Sequence, residues 1–81
     1  MSMNLYLISQ RENTDYDTYD SVVVAANNEK DAQAINPNGE DSWGESYSAW
    51  CSSPERVLVR YLGKATKGTK QGIILASYNA G

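Results

Sequence analysis

Residues 4–10 (Asn-Leu-Tyr-Leu-Ile-Ser-Gln) hold four large apolar side chains in a row with no helix or strand breaker. The pattern predicts a strand, and the unbroken run points to burial on both faces, as in the centre of a sheet. Residues 11–20 are polar and acidic without a period of 2 or 3.6, and are expected to be a loop. Residues 21–26 contain three consecutive valines and predict a second strand, because β-branched side chains lose little freedom on an extended backbone. Asn27 or Asn28 can then cap a short helix over about residues 28–36. Glu29 and Asp31 fall in its first turn, where the helix dipole favours negative charge. Ala32 and Ile35 are spaced to face the sheet, and Pro37 ends the element.

Residues 36–55 carry little periodic signal. Asn38-Gly39 marks a turn, and a short strand is expected over residues 47–51. Residues 56–64 alternate, with Val57, Val59 and Tyr61 on one face and Leu58, Arg60 and Leu62 on the other. Residues 71–78 form the next strand. The stretch Thr66-Lys67-Gly68-Thr69-Lys70 between them predicts a hairpin loop with Gly68 at a positive-φ position. The expected fold class is therefore α+β: a single small domain over residues 1–81, with a mostly antiparallel sheet of four or five strands and one short helix packed on it. Met1-Ser2-Met3 reads as a natural start at Met3, preceded by two extraneous residues.

Composition narrows the chemistry. Apolar residues make up 41% of the 81 and charged residues 21%, which suits a folded chain. A core of this size supplies only a few kcal/mol, leaving room for stabilisation by a partner or in a homodimer. There is no histidine and one cysteine, Cys51, so zinc fingers, Ser-His-Asp triads, Cys-His pairs and internal disulfides are excluded. Cys51 has no neighbouring base in sequence and reads as a packing residue. Asp15-x-Asp17-x-x-Asp20 lacks the glycine and the bidentate glutamate of a calcium loop. Gly63-x-x-x-x-Gly68-Thr69-Lys70 inverts the end of a phosphate loop and opens no helix. No group of residues offers a base, a nucleophile and an oxyanion donor together. The expectation is a non-enzyme without metal or cofactor. No apolar run reaches membrane-spanning length and no signal peptide is visible, which fits the cytoplasm.

Charge changes the picture most. Residues 1–55 hold all ten acids and two bases, a balance of −8, whereas residues 56–81 hold five bases and no acid, a balance of +5. The basic end either folds back to neutralise the acids or leaves an external negative face. Asp15, Asp17 and Asp20 are interleaved with Tyr16 and Tyr19, and Glu40, Asp41 and Glu45 follow as a second cluster. Closely spaced carboxylates imitate a nucleic-acid backbone, and tyrosines supply rigid contact area. These eight residues are the candidate partner-binding set. The fitting partner is a protein complex that normally grips nucleic acid. Direct nucleic-acid binding is disfavoured by a sequence pI of about 4.7. Arg56, Arg60 and Lys67 form an alternative set, able to meet the phosphates of a nucleotide signal in a pocket between copies. Trp43, Tyr47 and Trp50, with Tyr16 and Tyr19, are expected either to form a second small core under the acidic loops or to join the contact surface.

The segments NLYLISQ at residues 4–10, YDTYDSVVVAA at 16–26 and GIILASYNAG at 72–81 resemble a family of small uncharacterised proteins of phage and prophage genomes. The likeness covers both ends and the first helix, about half the chain. It implies a phage-associated gene and brings no activity or residue roles. By class, small acidic phage proteins without enzyme motifs include inhibitors of host defence, anti-CRISPR proteins among them. The leading expectation is thus a phage-encoded non-enzymatic inhibitor, acting as a nucleic-acid mimic on a host complex. The alternatives are the nucleotide sponge and a virion or assembly component.

Overall fold

A computed structural model describes residues 3–12, 18–37, 39, 43 and 50–79. The chain runs β1 (Asn4–Ser9), β2 (Thr18–Ala26), α1 (Glu29–Gln33), a 3-10 turn (Pro54–Arg56), β3 (Leu58–Lys64) and β4 (Gly72–Asn79). The described strands form one antiparallel sheet in the order β3-β1-β2-β4, with a single α-helix on it, an α+β arrangement. The apolar run of β1 does occupy the centre, between β2 and β3, but the expected burial on both faces is not met: Tyr6 and Ile8 are buried, whereas Leu5 and Leu7 on the other face are half-buried. Residues 47–49 lie outside the described set, and Trp50 and Cys51 take no strand conformation. Among the described residues, no helix is long and apolar enough to cross a membrane.

Two expectations are corrected. The loop assigned to residues 11–20 ends earlier, because Thr18, Tyr19 and Asp20 already belong to β2. Thr18 is buried and Tyr19 packs on the core, so tertiary contacts extend a strand that local polarity concealed. The C-terminal hairpin is absent: β3 pairs with β1, β4 pairs with β2, and the two lie at opposite edges. Once β1 and β2 pair, each has one free side, and the last two strands fill those sides. The intervening chain must cross the end of the central pair, about 14 Å for three strand spacings of ~4.8 Å. Seven extended residues reach about 25 Å, so the span is easily made. Ala65 N–H donates to the Met3 carbonyl at 2.8 Å, which anchors the crossing at the start of β1. Within it, Thr69 N–H donates to the Thr66 carbonyl at 3.0 Å and Gly68 has φ of 91°. The turn signal was genuine, but it bends a crossover and closes no hairpin.

The core lies on the helix side of the sheet. Tyr6 and Ile8 of β1, Val22, Val24 and Ala26 of β2, Ala32 of α1, and Trp50, Cys51 and Val57 form one buried cluster. Ile35, Trp43, Tyr19 and Val59 pack against it. Trp50 and Trp43 thus join the main core, and no second core is needed to house them. α1 starts as the sequence indicates: the Asn28 side-chain oxygen accepts from the Asp31 N–H at 2.8 Å. The helix ends at Gln33, short of the expected residue 36, and at five residues its stability comes from docking Ala32 into the core. Gln33 Nε2 reaches the Val57 carbonyl at 3.4 Å and links α1 to the entry of β3.

Among the described residues, the opposite sheet face carries no helix. Alternation places Leu7, Val23, Arg60 and Leu75 there, and pairing makes them one row across the sheet. Leu75 is 68% exposed, the most of any large apolar side chain described.

Candidate acidic interface

β2 begins in strand register with β4, Thr18 opposite Asn79 and Tyr19 opposite Tyr78. The register then skips Asp20 and resumes at Ser21 opposite Ser77. Such a bulge re-aims the extra residue, and Asp20 is exposed while Tyr19 beside it is half-buried against the core. The Tyr19 backbone is fixed as well: Gln10 Nε2 donates to its carbonyl at 3.2 Å, and Gln10 Oε1 accepts from the Glu12 N–H at 2.8 Å. Gln10 is buried, so its amide clamps the two ends of the β1–β2 connection. Of the candidate partner-binding residues, the structure places Tyr19 and Asp20 together at this clamped end. Asp15, Tyr16, Asp17, Glu40, Asp41 and Glu45 lie outside the described residues. Tyr19 packs inward as well as sitting beside Asp20, so it serves the core before any contact surface.

Glu12 has a role that its sequence context did not reveal. Its carboxylate accepts from the Ser52 N–H at 2.8 Å and from the Ser52 hydroxyl at 3.0 Å, and lies 3.8 Å from Arg56 Nε. Forty residues separate Glu12 from Ser52, so only the folded topology brings them together. This is the one ion pair among the described residues that joins the acidic part of the chain to the basic part. Its side chains are 69% and 37% exposed, which limits it to ~1 kcal/mol or less. Arg11, Glu12, Arg56 and Leu58 line an open groove of about 290 Å³ there.

The alternative ligand set is strung out. Arg56 precedes β3, Arg60 lies within it and Lys67 follows it. The seven-residue strand between Arg56 and Lys67 is about 23 Å long at ~3.3 Å per residue. A single copy therefore does not gather the three cations around one ligand. Arg60, Lys64, Lys67 and Lys70 are exposed and make no ion pair with any described acid.

A larger groove of about 410 Å³ lies between the C-terminal end of α1 and the start of β4, with Asp31, Ile35, Asn36 and Ile73 in its wall. Among the described residues Asp31 is the only titratable side chain in its lining, too little for general acid–base work as it stands. Cys51 is buried in the core, and its thiol donates to the Ser53 carbonyl at 3.5 Å. Burial pushes the thiol pKa up, with Glu12 adding to the rise, while the backbone hydrogen bonds and Arg56 act against it. A thiol held in its neutral form is a packing group. Among the described residues, no three His, Cys, Asp or Glu side chains gather as a metal site. Searches of protein-family models, curated proteins and solved structures find no match to the chain.

Proposed function

We propose that the chain is a phage-encoded, non-enzymatic inhibitor of the anti-defence class, anti-CRISPR proteins included. In this reading it acts in the host cytoplasm and binds a nucleic-acid-handling protein complex through an acidic, tyrosine-bearing surface around Asp15, Tyr16, Asp17, Tyr19 and Asp20. Glu40, Asp41 and Glu45 flank that surface. The observation that carries the reading is the limited cancellation of charge. Asp20 is turned outward by a bulge, and among the described residues one exposed pair is the only ion pair between the acidic and basic parts. Carboxylates left in this state steer a cationic partner over distances near the Debye length, ~8–10 Å at physiological salt. The clamp by Gln10 holds the Glu12 and Tyr19 backbone in place, and with it the neighbouring Asp20, which lowers the entropy lost on docking there. The nucleotide-sponge alternative draws no support from a single copy, given the spread of Arg56, Arg60 and Lys67.

The test is charge reversal. The triple change Asp15→Lys, Asp17→Lys and Asp20→Lys should abolish capture of a nucleic-acid-handling complex from host lysate, with circular dichroism and the thermal midpoint nearly unchanged. Capture that survives the reversal, or a captured patch that is itself anionic, would refute the assignment.

A further inference from the structure

The two outer strands of the sheet are very different. Among the described residues, each leaves a row of backbone N–H and C=O groups without a strand beside it. β3 is guarded: Arg60 and Lys64 lie on it, Arg56 precedes it, and its register with β1 skips Leu62. Charges and bulges of this kind discourage a foreign strand. β4 has none of the charges. From Gln71 to Gly81 the sequence contains no charged residue and no proline. Its bulge falls near the start, at Ile74, and Leu75–Asn79 continues without another skipped residue on this strand. Ile73, Ile74 and Leu75 are 45%, 52% and 68% exposed.

We propose that the outer edge of β4 pairs antiparallel with β4 of a second copy, forming a two-fold dimer with one continuous sheet. Charge selects this occupant. In a two-fold antiparallel pairing, the segment meets itself, so a charge near the axis approaches its own like. A segment without charge meets itself free of that penalty, whereas the β3 edge would bring Arg60 and Lys64 toward their copies. The same pairing extends the apolar row of Leu7, Val23 and Leu75 across the junction and withdraws Leu75 from water. Each copy carries a net charge of −3, so the long-range force between copies is repulsive and salt weakens it. Dimerisation is therefore expected to hold or strengthen as salt rises, opposite to the salt response of the acidic interface.

Sedimentation equilibrium of the full chain, from low micromolar to millimolar and in low and high salt, tests the proposal. The expected result is a monomer–dimer equilibrium that stops at two copies. Leu75→Lys should weaken it by at least tenfold, and Leu58→Lys on β3 should leave it unchanged. A chain monomeric throughout, open-ended growth, or greater sensitivity to Leu58→Lys than to Leu75→Lys would overturn it. If Leu75→Lys fails to fold, hydrogen exchange of the unaltered chain decides. Slowing of β4 amides with concentration supports the pairing, and slowing confined to β3, or none, contradicts it.

Discussion

Cys51 shows how one side chain's surroundings decide its chemistry. It lies in the core beside Trp50, and burial raises its thiol pKa above 9.0. The folded state thus prefers the neutral thiol more than the unfolded chain does. The resulting stabilisation is fully present below pH 9, where both states are protonated, and is lost as pH rises through the folded value. Urea titrations of the unaltered chain and Cys51→Ala should therefore converge above pH 9, with the gap constant below it. A disulfide-exchange reagent at pH 7 should react slowly with the folded protein and rapidly in denaturant. Fast reaction of the folded form would place the thiol at the surface. The packing role of Cys51 was legible from its neighbours in sequence. Glu12 was not, because its partner Ser52 is forty positions away and nothing local marks it.

Among the elements, those with strong local patterns were the readable ones. β1 declared itself by an apolar run suited to the sheet centre, and β2 by its valines. The start of α1 followed from Asn28, whose cap is 2.8 Å long. Asn28→Ala should cost about 1 kcal/mol, within the ~0.5–2 kcal/mol typical of such caps. It would be read as a lower urea midpoint, and an unchanged midpoint would mean that docking of Ala32 alone holds the helix. Pairing was less readable than strand identity. Gly68 and its neighbours announced a turn, and a turn between two strands usually joins sheet neighbours. Here the central pair β1–β2 leaves one open side on each strand, and the last two strands separate to fill both. That choice depends on which strand is most apolar on both faces, a comparison across the whole chain. The start of β2 was missed for a related reason: Thr18 and Tyr19 look polar in sequence but are held by core packing and by pairing with β4.

At the scale of the whole molecule, sequence charge and folded charge tell a similar story among the described residues. The basic segment does not form a compact hairpin. It runs along the β3 edge and crosses to β4. One exposed ion pair ties it to Glu12, and Arg60, Lys64, Lys67 and Lys70 stay exposed. Of the candidate interface, sequence gave the composition, and folding added the bulge that turns Asp20 outward and the Gln10 clamp behind it. A chain of net charge −3 would ordinarily pass through a cation exchanger at pH 7. The most direct test of separated charge is therefore retention on both resin types at low salt. Persistence of the two poles predicts binding to the anion exchanger and also to the cation exchanger, the latter lost in Arg60→Glu, Lys64→Glu. Passage of the unaltered protein through the cation exchanger at the lowest salt would show that the poles cancel, and would contradict the account.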